Sequence, residues 1–170
     1  MKSTNILNKK IALLGSHAVG KTSLISRFVE GIFPEKYLST IGLKVDTKTL
    51  QVDDYQLDLV IWDIAGQDNP ARIPHYYLNG CSGYIYVVDL SRPSTYEDIV
   101  SRLTLLKGML PQAPFVVVGN KMDLLSSQEL EEIQTNCPVE IEITTSAKTG
   151  DRVEELFSML GKKLIHTHEH

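Results

Sequence analysis

Residues 9–23 read Lys9-Lys10-Ile11-Ala12-Leu13-Leu14-Gly15-Ser16-His17-Ala18-Val19-Gly20-Lys21-Thr22-Ser23, and this stretch decides the fold. An apolar run stops at Gly15, and Gly20-Lys21-Thr22 then opens a helical pattern. A strand, a G-x-x-x-x-G-K-[ST] loop and a helix in that order form a cradle for phosphate. Gly15 and Gly20 let the backbone curl where a Cβ would clash, so that the N–H groups of the intervening His17, Ala18 and Val19 point into one concavity. The helix adds its unpaired first-turn donors and the positive end of its dipole. Lys21 supplies a point charge for the β- and γ-phosphates. Thr22 offers a hydroxyl to Mg²⁺, and the Ser23 backbone reaches toward the α-phosphate.

Outward from this loop, apolar runs and helical patterns alternate. The spacing predicts strands over 11–14, 43–52, 56–62, 83–90, 115–118 and 139–143. Helices are expected over 21–31, 128–135 and 151–165. A further helix is capped by Ser94 with Glu97 and striped by Ile99, Val100, Leu103, Leu106, Met109 and Leu110. In 43–52, Leu43, Val45, Thr47 and Thr49 face one way and Lys44, Asp46 and Lys48 the other, as on a half-exposed edge strand. Asp53-Asp54 is a tight turn, so this strand and the next pair antiparallel. Residues 32–41 lack periodicity and read as a long functional loop. Pro70 and Pro74 exclude a long helix before His75. The fold class is α/β: a six-stranded, mostly parallel sheet with one antiparallel edge strand and helices on both faces. Ligands bind beyond the carboxyl ends of such strands, where every unusual loop of this chain falls.

Those loops have readable chemistry. Asp63 ends a strand beside the phosphate loop and suits Mg²⁺ through a water. Gly66 can bring its N–H to a γ-phosphate, and Gln67 can orient an attacking water with an amide that donates and accepts. In Asn120-Lys121-x-Asp123 the carboxylate can accept from both the ring N–H and the exocyclic amine of guanine, a pair adenine lacks. Lys121 can lay its stem along the base. Asn120 can tie neighbouring loops together, and Ser146-Ala147-Lys148 would complete the pocket with a backbone N–H toward the guanine oxygen.

Composition narrows the class. A chain of 170 residues with 42% hydrophobic residues is expected to form one domain over 1–170, with a core at about 9–165 and short flexible ends. A net charge of −4 argues against non-specific nucleic-acid binding. No apolar run approaches the ~20 residues needed to span a bilayer. The polar stretch 1–8 lacks the core of a secretory signal. Cys81 and Cys137 show no zinc spacing, so a reduced, cytoplasmic setting is expected.

The motifs GSHAVGKTS, YLSTIG, WDIAGQ, NKMD and TSAK, in this order over about residues 9–165, resemble those of the Ras superfamily of small GTPases, and most closely the Rab group. The resemblance implies a GTP/GDP switch that uses Mg²⁺ and hydrolyses GTP slowly. It implies that Thr40 is the switch I threonine on Mg²⁺ and the γ-phosphate, so that Thr22, Thr40 and Asp63 form the metal set and Gln67, Lys21 and Thr40 serve catalysis. It places Phe33 against guanine; a plain loop or core phenylalanine is the competing reading. Switch I would cover about 32–42 and switch II about 64–77, read by effector, exchange-factor and activating proteins. Work in vesicle trafficking as a monomer is implied too. Trp62 and Tyr77 match two members of the aromatic cluster that Rab proteins show to effectors, although Val45 stands at the third position and either aromatic could be core.

Three departures carry consequences. His17 stands where Ras has glycine, and its bulk can obstruct Gln67 and an incoming arginine; the alternative function is therefore a GTP-binding interaction module with negligible turnover. Pro70 and Pro74 stiffen switch II. The end His166-Thr167-His168-Glu169-His170 has no lipidated cysteines, so no membrane anchor is expected in this chain, and its histidines read as a frayed end rather than a metal site. None of Arg27, Arg72 or Arg92 is clearly placed by the sequence as an arginine finger in cis. A P-loop ATPase or nucleotide kinase is a third reading, which Asn120 and Asp123 oppose.

Overall fold

The computed structural model describes residues 5–170. Six strands, β1 (Asn5–Leu14), β2 (Leu43–Val52), β3 (Tyr55–Ile64), β4 (Gly83–Asp89), β5 (Phe115–Asn120) and β6 (Ile143–Thr144), form a sheet in the order β2-β3-β1-β4-β5-β6. Every neighbouring pair is parallel except β2 with β3, where Leu43 faces Ile64 and Val52 faces Tyr55. The helices are α1 (Lys21–Glu30), α2 (His75–Leu78), α3 (Ile99–Met109), α4 (Ser127–Asn136) and α5 (Val153–Glu169).

Two apolar layers flank the sheet. On one side Leu24, Ile25 and Phe28 of α1 and Leu156, Phe157 and Leu160 of α5 meet Ile11, Leu13, Ile61 and Val118. Phe28 and Phe157 stack with centroids 3.8 Å apart. On the other side Ile99, Leu103 and Leu106 of α3 meet Leu14, Tyr84, Tyr86 and Val117. Each of these fully buried large side chains contributes about 1.5–3 kcal/mol through removal from water. Strands β1 and β4 read as unbroken apolar runs at their buried ends because both faces are covered.

The structure corrects several boundaries. β1 begins at Asn5, because β3 offers a partner along its whole length, from Tyr55 opposite Asn5. The expected loose stretch 1–8 is therefore strand from Asn5, and residues 1–4 lie outside the described residues. In β2 the facing is set by Leu50 and Val52, which are buried against Gly161 of α5. Asp46 and Lys48 share that side and are half-buried, while Val45, Thr47 and Thr49 are exposed, the reverse of a simple apolar-in alternation. β6 is two residues rather than five, since the Glu142 side chain takes the place of a ladder partner and accepts from Val117 N at 3.3 Å. The Ser94–Glu97 capping box does not form. Pro93–Thr95 is a 3-10 turn, and α3 starts after Asp98 with no side-chain cap. A capping box occurs instead at Ser126 and Glu129 of α4. The last helix runs to Glu169, held there by Tyr55 Oη donating to Glu169 Oε1 at 2.9 Å, so residues 166–169 are helical rather than frayed. As Pro70 and Pro74 require, no long helix precedes His75: Pro70–Arg72 is a short 3-10 turn and α2 has only four residues.

Candidate nucleotide-binding site

The loop 15–20 is held from outside by its carbonyls. Gly15 O accepts from Lys21 Nζ at 3.1 Å and from Gln67 N at 3.1 Å. Ser16 O accepts from Lys21 Nζ at 2.8 Å, His17 O from Arg92 Nη2, Ala18 O from Lys121 Nζ at 2.8 Å and Val19 O from Asn120 Nδ2 at 3.1 Å. A trans peptide sets its N–H opposite its C=O, so five outward carbonyls turn the amides of residues 16–20 the other way, as an anion nest requires. The curl depends on its glycines. A Cβ on Gly15 would lie 2.3 Å from Val87 O, and one on Gly20, at φ +102°, would lie 2.2 Å from Asn120 Nδ2. Ala18 adopts φ +59°, an unusual backbone state of the kind that clusters at functional sites.

Lys21 is buried beneath this loop. Burial pushes its ammonium pKa down to about 8; Asp63 pulls it back up and the Arg92 charge presses it further down. Beside it, three oxygens converge. Thr22 Oγ1 lies 2.7 Å from Thr40 Oγ1 and donates to Asp63 Oδ2 at 2.5 Å, and Thr40 Oγ1 donates to the same oxygen at 3.3 Å. Asp63 Oδ1 is buried with no hydrogen-bond partner. Burial raises the Asp63 pKa against the pull of Thr22 and Lys21. An orphaned carboxylate oxygen within an all-oxygen donor set fits Mg²⁺, a hard cation.

The P-loop, α1 and the loop 32–40 enclose a cleft of about 440 Å³, whose lining includes His17, Lys21, Thr22, Ser23, Phe33, Thr40 and Gly66. Phe33 is 40% exposed at its rim rather than buried in the core. Tyr37 Oη lies 3.0 Å from His17 Nε2, with the rings edge to face, so loop 32–41 closes onto the P-loop through His17. Gly66 lies against the backbone of His17. Gln67 touches the loop through its N–H; its side chain is not part of the cleft lining.

The second motif cluster adjoins the loop without lining that cleft. Asn120 is buried at the centre: its Oδ1 accepts from Thr145 Oγ1 at 3.1 Å and from Ala147 N at 3.2 Å, while its Nδ2 reaches Val19 O. The Ala147 N–H is thus used within the protein. Asp123 is exposed, and its Oδ1 accepts from Ser146 Oγ at 2.7 Å, which aims the carboxylate. Lys121, at φ +67°, stretches its stem so that Nζ reaches Ala18 O and, at 2.7 Å, Asp89 Oδ2. Lys148 offers its carbonyl to Arg27 Nη2 at 2.5 Å, and Arg27 Nε donates to Ala147 O at 2.9 Å.

Sequence reasoning missed four of these residues: Arg27, Tyr37, Asp89 and Arg92. Asp89 had a usable signal, because β4 ends at an acid, as β3 carries Asp63 next to its last residue. The other three are contacts between segments far apart in the chain, which no local pattern announces. Trp62 and Tyr77 lie edge to face at 6.2 Å, half-buried, with Lys10 Nζ 3.5 Å from the indole centroid and exposed Val45 opposite Trp62 in register.

A family model described as "Ras family" matches residues 10–166. The chain is 34% identical over 164 residues to the Ras-related protein RabJ of Dictyostelium discoideum, covering 94% of this chain but 64% of RabJ. It is 33% identical over 170 residues to the Ras-related protein Rab-5A of the same organism, covering 97% of this chain and 85% of Rab-5A. It is 34% identical over 170 residues to the GTP-binding protein ypt5 of Schizosaccharomyces pombe, covering 96% and 81%. With its phosphate loop, its six-stranded sheet and these relatives, the chain belongs to the Ras family of small GTP-binding proteins, which hydrolyse GTP, and is Rab-like within it.

Proposed function

We propose that residues 1–170 act as one switch domain that binds GTP or GDP with Mg²⁺, hydrolyses GTP slowly, and changes switch I (32–42) and switch II (64–77) as it does so. The observation that carries this reading is the engagement of five consecutive P-loop carbonyls, Gly15 to Val19, by side chains that include Lys121 and Asn120 of the base motif. One loop then seats phosphate while its neighbours seat guanine. Mg²⁺, held by Thr22, Thr40 and Asp63, would neutralise charge on the β- and γ-phosphates. Water attacks the γ-phosphorus, the bond to the bridging oxygen breaks, and GDP and phosphate leave; no side chain bonds covalently. Gln67 orients the water, Lys21 stabilises the developing charge, and Gly66 N–H reports the γ-phosphate to switch II.

Partners act through exposed switch residues such as Leu38 and Ile41, and the surface of Val45, Trp62 and Tyr77 extends that face. Effector, exchange-factor and activating proteins are the expected readers, and the domain works as a cytoplasmic monomer. Among the described residues no helix is long and apolar enough to cross a membrane. The second reading, a GTP-binding module with negligible turnover, draws support from the His17–Tyr37 contact over the cleft. Single-turnover hydrolysis of preloaded GTP, wild type against His17→Gly, separates the two. A wild-type rate of ~10⁻⁴ per second or above, little changed by glycine, supports the switch. A far lower rate that glycine restores supports the second reading.

A further inference from the structure

Helix α4 is poorly supplied with apolar residues. In Ser127-Gln128-Glu129-Leu130-Glu131-Glu132-Ile133-Gln134-Thr135-Asn136 only Leu130 and Ile133 are apolar, and no residue of the helix is buried. A helix seated by so narrow a stripe cannot close its whole border with the neighbouring segments. On the facing wall Pro93 opens a 3-10 turn, and α3 begins only after Asp98. Between the two walls lies a cleft of about 530 Å³. Its floor is apolar: Leu90 is buried, and Tyr96, Leu125 and Ile133 are half-buried against the core. Ligand-binding clefts share that character and a volume of roughly 300–1,000 Å³.

The rim carries one sign of charge. Glu97 stands on one wall and Glu129 and Glu132 on the other, all exposed, and no Lys, Arg or His lines the cleft. No ion pair among the described residues involves any of the three. Glu129 and Glu132 are neighbours on the surface of α4, one turn apart. Glu129 is fixed there, its Oε2 accepting from Ser126 N at 2.7 Å. Like charges around an apolar hollow focus a negative potential into it. Such a rim repels an anionic lipid surface or a nucleic acid. A second copy of the chain, at net charge −4, brings no excess of cations. The complementary object is an apolar side chain with cations to either side of it, as a basic amphipathic helix presents one.

We propose that the cleft between α4 and the 3-10 turn 93–95 docks a partner protein, which inserts a leucine or aromatic side chain from a helix bearing Lys or Arg one turn to either side. The anchor rests on Tyr96, Leu125 and Ile133. The cations meet Glu97 on one wall and Glu129 and Glu132 on the other. None of the lining residues belongs to segments 32–42 or 64–77. The partner therefore holds the GDP-loaded and GTP-loaded protein alike, as a tether rather than as a reader of the switch. This docking site goes beyond the GTPase reading; only the comparison of the two loaded forms leans on that reading.

The test uses the full chain and a set of fluorescent helical peptides. Each has one leucine, phenylalanine or tryptophan anchor flanked by lysine and arginine, and each has a twin with glutamate in place of the cations. A cationic peptide of the set should bind saturably, and no glutamate twin should. Glu97→Lys combined with Glu132→Lys should weaken binding at least about tenfold, because two attractions become repulsions. Glu154→Lys, which reverses an equally exposed charge on α5, should change it by less than about twofold. Bound peptide should slow alkylation of Cys137, which lines the cleft, and leave Cys81 unaffected. The GDP form and the form loaded with a non-hydrolysable GTP analogue should bind the peptide within about twofold of each other. Failure of every cationic peptide, equal binding by the twins or by the doubly reversed variant, or an unprotected Cys137 would overturn the proposal. So would shielding of Cys137 that grows with protein concentration alone, which would give the cleft to a second copy. A preference of about tenfold or more for one loaded form would place the peptide on the switch segments and overturn it too. If the wild type binds no guanine nucleotide, the GTPase reading fails, while the peptide and alkylation arms, run on the protein as purified, still decide the docking site.

Discussion

Replacing Asn120 with alanine should cost stability as well as nucleotide affinity. The side chain makes three hydrogen bonds at a fully buried junction: Nδ2 to Val19 O, and Oδ1 from Thr145 Oγ1 and Ala147 N. Thr145 is 0% and Ala147 3% exposed, so water cannot easily replace the lost partner. A buried polar group left unsatisfied costs about 1–3 kcal/mol. With some relaxation, three such losses amount to roughly 3–5 kcal/mol, a large part of the ~5–15 kcal/mol that stabilises a typical domain. At about 2–4 °C per kcal/mol for a chain of this size, nucleotide-stripped Asn120→Ala should melt roughly 8–15 °C below wild type. Asp123→Ala is the comparison. Asp123 is exposed and engages Ser146 Oγ, so its loss should shift the melting point by no more than about 3 °C while abolishing preference for guanine. Calorimetry or circular dichroism on stripped protein reads both variants. An Asn120→Ala melt within about 2 °C of wild type would refute the reasoning, because the web would then carry no structural load.

Three other outcomes follow from single contacts. Gly66→Ala places a Cβ 2.4 Å from His17 Cα and 2.5 Å from His17 N, backbone atoms that cannot step aside, so switch II must withdraw; GTP hydrolysis should fall at least about tenfold with GDP affinity retained, and unchanged hydrolysis would contradict the packing. Tyr37→Phe removes the bond to His17 Nε2 and should speed GDP release about two- to fivefold, the worth of one exposed hydrogen bond, with no further gain when combined with His17→Gly; additive effects would show that the two side chains act independently. Burial raises the Cys81 thiol above its usual pKa of 9.0, so at pH 8 it carries less thiolate than a free cysteine and should alkylate more slowly, the rate still climbing past pH 9; labelling at the free-cysteine rate would contradict its burial.

The fold was legible wherever a local pattern had a local cause. The apolar run 11–14, the G-x-x-x-x-G-K-[ST] spacing, the Asp53-Asp54 turn and the prolines Pro70 and Pro74 each place their elements correctly, because loop curl, strand burial and proline geometry act over a few residues. Elements went astray where a distant partner decides. β1 extends to Asn5 only because Tyr55 lies opposite, and the facing of β2 follows from Leu50 and Val52 lying on Gly161. The Ser94–Glu97 box has the right residues, but Thr95 turns its hydroxyl back to the carbonyls of Asp89 and Arg92, and the chain makes a 3-10 turn instead. The same division holds at the site. Motif residues announce themselves by spacing, whereas Arg27, Tyr37 and Arg92 reach it from other segments, across 121, 20 and 75 residues of sequence.

The most direct test of the central claim is competition for the nucleotide site. Fluorescent GDP bound with Mg²⁺ is displaced by unlabelled GTP, GDP, ATP or ADP, in wild type and in Asp123→Asn. A site built to hydrogen-bond one base rejects the other by roughly 10⁴-fold or more. GTP and GDP should displace the probe at comparable concentrations, ATP and ADP should be roughly 10⁴-fold less effective, and Asp123→Asn should lose the preference for guanine. Displacement by ATP as readily as by GTP, or a preference untouched by Asp123→Asn, would contradict the assignment of this cleft to a guanine nucleotide.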